Sequence, residues 1–149
     1  MDDIKRKIGE NGFGKAVVLM FNELKESFFE NFTEEEWLYV YESSKPGTPQ
    51  MERAKREIEK RVRTLEEWEK RYKKWEHSDP IRKLCIKKIL SLASIKDLIR
   101  VSDSAEAWTD LETHILEELS KKTLPKEIWE RIEGETKSHR LKNLARGKI

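Results

Sequence analysis

Two stretches of this chain, TEEEWLYVY at residues 33–41 and TLEEWEKRY at residues 64–72, repeat one pattern 31 positions apart. In each stretch a threonine is followed by glutamate at the third place, tryptophan at the fourth and tyrosine at the eighth. A threonine hydroxyl can accept a hydrogen bond from a free N–H in the first turn of a helix, and a glutamate three places on can bond back. Because residues four apart share a helix face, the tryptophan and tyrosine should pack on the same side. Each stretch therefore predicts the start of a helix that buries aromatic residues.

A third, weaker copy of the pattern begins at Ser94. Asp97 takes the place of the glutamate, Leu98 that of the tryptophan and Ser102 that of the tyrosine. Serine also caps helices, so a third helix is expected to start here without an aromatic pair.

A second apolar stripe, with residues four apart, recurs at intervals of 30 or 31 positions. Such spacing is typical of one buried face of a helix. Its members are Leu24, Phe28 and Phe32, then Ala54, Ile58 and Val62, then Cys85, Ile89 and Ala93, then Ile115 and Leu119. The turn sequences SSKPGTP (43–49), HSDP (77–80) and SDSAEAW (102–108) separate this stripe from the capped helices, so each unit is predicted to be a helical hairpin.

We therefore predict an all-α fold of about eight helices in a single domain over 1–149. Stacked hairpins are expected at 33–62, 64–93 and 94–122, because one hairpin cannot bury its own apolar stripe. Residues 1–13 form an N-terminal segment, and a helix over 14–32 precedes the hairpins. A capping helix from about 125 to 145 follows them, with Pro125 near its start and a basic tail to residue 149. The alternative is a helical bundle without repeats.

The hairpin period of about 30 residues resembles the general class of α-helical repeat proteins, tetratricopeptide-like or HEAT-like. The resemblance covers roughly residues 14–122 and consists of period and pattern. It implies a short α-solenoid scaffold that binds proteins or peptides along an extended surface. No functional residue is transferred, because no motif of a particular family matches residue by residue.

Composition points to a soluble protein of the cytoplasm. Charged residues make up 40% of the chain, and 31 basic against 29 acidic side chains leave a net charge of +2, which demands no polyanionic partner. No apolar run approaches the roughly 20 residues that a membrane helix needs, so no membrane partner is expected. The N-terminal MDDIKRKIGENG lacks the apolar stretch of a signal peptide. The single cysteine excludes an intramolecular disulfide.

We expect no catalytic, cofactor-binding or metal-binding residues. GENGFGK (9–15) lacks the spacing of a phosphate-binding loop and is interpreted as a flexible connection between helices. Cys85 lies on an apolar stripe, where a cysteine behaves as a small hydrophobe. His77, His114 and His139 lie in separate predicted segments, and a zinc site needs three or four ligands at suitable spacing.

Charge is unevenly distributed along the chain. Residues 51–88 contain fourteen basic and eight acidic side chains, whereas 26–36 contain five acids and no base. Residues 102–120 contain six acids and no base, and 137–149 contain five bases and no acid. A basic middle between acidic flanks is therefore followed by a basic end, which we interpret as a mobile arm.

Two functions follow from this pattern. The first is a non-enzymatic interaction module, or adaptor, that recognises a protein or peptide through complementary charge and aromatic anchors, with Trp75 the aromatic of interest. The alternative is nucleic-acid binding through the basic patch of residues 53–88 and the basic end. Self-association through an uncapped end of the array is a further hypothesis. The candidate partner or phosphate contacts are Arg53, Arg56, Lys60, Lys70, Arg71, Lys74, Trp75, Lys83, Lys87, Lys88, Arg140, Lys142 and Arg146.

Overall fold

A computed structural model of the chain describes residues 10–104 and 109–149. These residues form α-helices and one turn of 3₁₀-helix at Phe21–Glu23, with no strand among them, which confirms the all-α prediction. The α-helices are α1 Glu10–Met20, α2 Glu26–Phe29, α3 Glu34–Ser43, α4 Pro49–Arg61, α5 Leu65–Trp75, α6 Asp79–Leu92, α7 Ile95–Ser104, α8 Asp110–Ser120, α9 Lys126–Glu135 and α10 His139–Lys148.

The contacts of the chain group into two compact units, residues 1–85 and 86–149, with the boundary inside α6. The first contains α1 to α5 and the first half of α6, and the second contains the rest of α6 and α7 to α10. The stacked, repeating arrangement of the hairpins stays a prediction.

All three predicted capping pairs form. In the first, the Thr33 hydroxyl accepts from the Glu36 backbone N–H at 3.2 Å, and the Thr33 N–H donates to Glu36 Oε1 at 2.8 Å. The same reciprocal bonds form at the other two sites, including the aspartate version, where both distances are 3.1 Å. The pairs are Thr33–Glu36, Thr64–Glu67 and Ser94–Asp97.

The helix bounds fall inside the ranges predicted for the hairpins: α3 and α4 lie within 33–62, α5 and α6 within 64–93, and α7 and α8 within 94–122. In the first turn Gly47 has a φ of 81°, and Thr48 caps α4 ahead of Pro49. A left-handed residue is readily supplied by glycine, and proline suits the first position of a helix. Residues 105–108 of the third predicted turn, Trp108 among them, lie outside the described residues.

The core uses the predicted stripes. Trp37, Trp68 and Leu98, the equivalent residues after the three caps, are buried. The buried members of the second stripe are Phe32, Ala54, Ile58, Val62, Cys85, Ile89, Ile115 and Leu119, and the half-buried ones are Leu24, Phe28 and Ala93.

The glycine-rich segment is helical rather than a flexible connection, which corrects the prediction for 10–15. Gly14 lies in α1, which packs against α3. A Cβ added to Gly14 would be 2.1 Å from the Tyr39 carbonyl oxygen and 2.5 Å from Ser43 Oγ. Glycine is therefore required here by close approach of two helices, a contact that sequence alone does not show.

The predicted helix over 14–32 is broken at Leu24 and Lys25, which are extended. In a straight helix Phe21 and Phe29 would be about 12 Å apart along the axis, whereas their ring centroids lie 5.6 Å apart. The break brings Phe29 against Trp37, at 5.5 Å between ring centroids. Burial of aromatic surface therefore outweighs the continuity of the helix.

The predicted C-terminal helix is also broken, and the basic end is not a mobile arm. The break at 136–138 is held by Asp103, whose Oδ1 accepts from the Thr136 hydroxyl at 2.6 Å and from the Lys137 N–H at 3.0 Å. Ser138 then caps α10, which packs against α9 and α8. The two broken segments explain why the described residues contain ten α-helices instead of about eight.

Candidate functional site

Arg53, a predicted partner contact, is directed into its own unit. Its guanidinium donates to Glu26 at 3.0 Å and to Glu57 at 3.3 Å. The same group lies 5.2 Å from the centroid of the Phe29 ring and 5.3 Å from that of the Trp37 ring. The hydrogen bond with Glu26 raises the pKa of Arg53 above its usual value. Arg53 therefore covers the aromatic core as a cation–π partner.

Arg71 also pairs inside the unit. Its Nε and Nη2 donate to the two oxygens of Glu34 at 2.9 and 2.8 Å, which is the bidentate arrangement. The hydrogen bond with Glu34 raises the pKa of Arg71. The bridge joins the first capped helix, α3, to the second, α5.

The remaining candidate cations of the first unit are exposed. Lys60, Lys70 and Lys83 lie 3.0, 3.7 and 3.6 Å from the carboxylates of Glu57, Glu66 and Asp79. Pairs in which both side chains are exposed, such as those of Lys70 and Lys83, contribute little to stability. Arg56 and Lys74 are exposed too.

In the second unit two candidate arginines are paired. Arg140 donates to Glu112 at 3.0 Å and to Thr113 at 3.1 Å, and Arg146 donates to Glu133 at 3.0 Å. Lys87 is exposed, whereas Lys88 and Lys142 are half-buried. Apart from Lys137, the basic residues of the predicted basic end lie on the packed helix α10.

One group of candidates does come together, around Trp75 at the end of α5. Lys70, Arg71, Lys74 and Trp75 line a depression of about 230 Å³ with Glu34, Glu35 and Leu38. Lys74 and Trp75 also line an adjoining depression of about 320 Å³ with Tyr39, Glu42 and His77. The two depressions share Lys74 and Trp75, and we call them together the Trp75 cleft.

Aromatic contacts fix the centre of the Trp75 cleft. The Tyr39 ring meets the Trp75 ring edge-on with centroids 5.4 Å apart, and the His77 ring stacks on it at 6.1 Å. The Tyr39 hydroxyl donates to Glu35 at 3.2 Å. Trp75 is only 6% exposed, so a bound molecule would meet mainly its neighbours Tyr39, His77 and Lys74.

Sequence reasoning found the basic side of this cleft and missed its acidic side. Glu35, Leu38, Tyr39 and Glu42 are spaced by three, one and three positions, so they form a second face of α3 beside the Trp37 face. That spacing is visible in the sequence. The packing of α3 against α5 decides that this face lies beside the end of α5, and the sequence pattern contains no information on how these two helices pack.

Within residues 10–104 and 109–149, no group of three or more His, Cys, Asp and Glu side chains could hold a metal ion. His114 Nδ1 lies 2.7 Å from the Asp110 carbonyl oxygen. Burial raises the pKa of the Cys85 thiol to about 12, so this side chain stays protonated and behaves as a small hydrophobe.

Comparison of the chain with protein-family models, curated proteins and solved structures gave no match. In the described part of the chain, no helix has both the length and the apolar character needed to cross a membrane.

Proposed function

We propose that this chain is a non-enzymatic interaction module that binds a peptide segment of a partner protein in the Trp75 cleft. The observation that supports the proposal is the mixed chemistry of the cleft: an aromatic centre between carboxylates of α3 and cations of α5. Tyrosine, tryptophan and arginine are the residues most often found at the energetic centres of protein interfaces.

The charge arrangement favours a peptide over a phosphate chain. Glu35 and Glu42 lie on one side of the cleft, and Lys70 and Lys74 on the other. A nucleic acid that reached the lysines would bring its phosphates close to the glutamates and be repelled. A peptide can place an acidic residue near Lys74 and a basic residue near Glu42, which also fixes its direction.

The internal pairing of the arginines supports the same proposal. Arg53 and Arg71, two members of the predicted basic patch, are hydrogen-bonded to Glu26 and Glu34. Binding phosphates with these groups would leave two carboxylates without their partners. Affinity for nucleic acid depends on how many cations can release counterions, and this pairing reduces that number.

The test is a selection of peptides from a displayed random library on the full chain, followed by titration of the recovered peptides. We expect peptides whose affinity falls about tenfold or more with Lys74→Glu, a change of about 1.4 kcal/mol. Lys73→Glu is the matched control, because Lys73 is exposed on the same helix and does not line the cleft.

Nucleic-acid binding is the alternative outcome. It predicts micromolar affinity for labelled single- or double-stranded oligonucleotides at about 50 mM salt that collapses at about 200 mM. Weakening by Arg56→Glu and Lys60→Glu, with no effect of Lys74→Glu on any peptide, would replace the proposed function with the alternative.

A further inference from the structure

A second surface, on α1, is more apolar than the packing of α1 requires. Residues 16–20 of α1 read AVVLM, five apolar residues in succession, although a helix at the surface buries only one face. Phe13 and Val17 supply that face and are fully buried. Leu19, about 200° further round the helix than Val17, is 85% exposed.

Leu19 lines an open groove and stays largely exposed to solvent. The groove has a volume of about 500 Å³ and runs between α1 and the segment that joins α3 to α4. Val18 and Leu19 supply its apolar surface, and Asn22 and Gln50 supply amides at its edge. We call this the Leu19 groove, and it shares no lining residue with the Trp75 cleft.

Both walls of the Leu19 groove are held in place by contacts within the first unit. Gly14 lets α1 approach the backbone of α3 so closely that a Cβ would collide with it. On the other wall, Thr48 caps α4 and its hydroxyl donates to the Lys45 carbonyl oxygen at 2.7 Å. A preformed groove loses less conformational freedom when a ligand binds.

The charge around the groove indicates which class of partner it would attract. Lys15 and Lys45 both line it and are exposed, and no carboxylate is among the described residues that line it. A second copy docked symmetrically through this face would bring four lysines, and none of the carboxylates needed to pair with them, to the two grooves. An occupant with carboxylates beside an apolar side chain would instead be attracted.

We propose that the Leu19 groove is a second docking surface, which binds an acidic amphipathic segment of a partner protein. One large apolar side chain of the segment packs on Val18 and Leu19, and flanking carboxylates pair with Lys15 and Lys45. The chain would then hold two partner segments at separate surfaces, which goes beyond a single interaction site.

The test uses the displayed peptide library on the full chain and sorts the recovered peptides by variant. Leu19→Gln keeps a helix-forming residue at an exposed position, and Leu92→Gln, at another exposed leucine, is its control. The double variant Lys15→Glu/Lys45→Glu is compared with Lys96→Glu/Lys121→Glu, which changes two exposed lysines elsewhere. Circular dichroism of each variant verifies the fold.

We expect a class of peptides with net negative charge that loses about tenfold affinity or more with Leu19→Gln and with the Lys15/Lys45 double variant. Neither Leu92→Gln, nor Lys96→Glu/Lys121→Glu, nor Lys74→Glu should weaken the binding of this class. Binding in the Leu19 groove is thereby distinguished from binding in the Trp75 cleft. The proposal is overturned if no recovered peptide depends on Leu19, or if the dependent peptides are basic. Concentration-dependent self-association that Leu19→Gln abolishes would assign the groove to a second copy and also overturn it.

Discussion

The two copies of the repeated stretch, residues 33–41 and 64–72, fold alike in their first two turns and differ beyond them. Trp37 and Trp68 are 0% and 2% exposed, and both caps form reciprocal bonds. After the tyrosine the copies diverge, because α3 ends at Ser43 whereas α5 continues to Trp75. The Ser44 hydroxyl, which occupies the place equivalent to Trp75, donates to the Val40 carbonyl oxygen at 2.7 Å and closes the first helix.

This difference separates residues that build the fold from residues available for binding. Caps and core positions recur because every helix must satisfy its first N–H groups and bury a face. The second copy stays helical for one residue more, to Trp75, which lines a depression with Tyr39 and Glu42 of the first copy and with its own neighbours Lys74 and His77. The Trp75 cleft is thus formed where the repetition ends.

The largest difference between the copies is expected from removing their tryptophans. Trp37→Ala should lower the free energy of unfolding by about 5 kcal/mol and Trp68→Ala by about 3 kcal/mol. Trp37 loses more because it also contacts Phe29, Phe32 and the Arg53 guanidinium. Urea unfolding measures both, and a larger loss for Trp68→Ala would contradict the account.

A second contrast concerns the glycine that α1 places against α3. Gly14→Ala should destabilise the fold by about 2 kcal/mol, because the added Cβ collides with the Tyr39 carbonyl group. Gly134→Ala in α9 is the control, since its Cβ would meet nothing within 4 Å, and it should stabilise by about 0.5 kcal/mol or more. Equal effects of the two changes in thermal unfolding would refute the close approach.

The two caps should be equivalent. Thr33→Ala and Thr64→Ala should each cost about 1 kcal/mol, because each removes an acceptor for one N–H of the first turn. Serine at either position should restore most of the loss. If the stability losses from Thr33→Ala and Thr64→Ala differed by as much as about 1 kcal/mol, the two threonines would have different roles.

The bridge between the copies can be measured by a double-mutant cycle. Glu34→Gln and Arg71→Gln, separately and together, should give a coupling free energy of about 1 kcal/mol for this partly buried bidentate pair. No coupling would mean that the copies are not linked through these side chains.

The smallest effect is a pH dependence at the second cap. Hydrogen bonds from Thr64 lower the pKa of Glu67 below 4.5 in the folded chain. A lowered folded pKa means that the stabilisation is present above the usual pKa and is lost as the pH falls through the folded value. The free energy of unfolding of the Glu67→Gln variant should therefore depend less on pH below 4.5 than that of the parent chain, which acid unfolding measures. An unchanged profile would contradict the capping role of this carboxylate.

Local signals predicted the helix starts after Thr33, Thr64 and Ser94 well, because caps, turn residues and apolar spacing act within a few positions. The breaks at Leu24–Lys25 and Thr136–Ser138 could not be predicted in this way, since one forms to cluster phenylalanines and the other is held by Asp103. The cations of the candidate site were visible in the sequence. Their pairing was not, because Arg53 and Arg71 meet carboxylates 27 and 37 positions away.

The most direct test of the central claim follows the indole N–H resonances of ¹⁵N-labelled protein, with that of Trp75 assigned from Trp75→Phe. A peptide whose binding depends on Lys74 is added to one sample and a single-stranded oligonucleotide to another. The account predicts that the peptide shifts the Trp75 resonance and leaves that of Trp37 in place, while the oligonucleotide shifts neither. A Trp75 resonance that responds to the oligonucleotide and not to the peptide would contradict it.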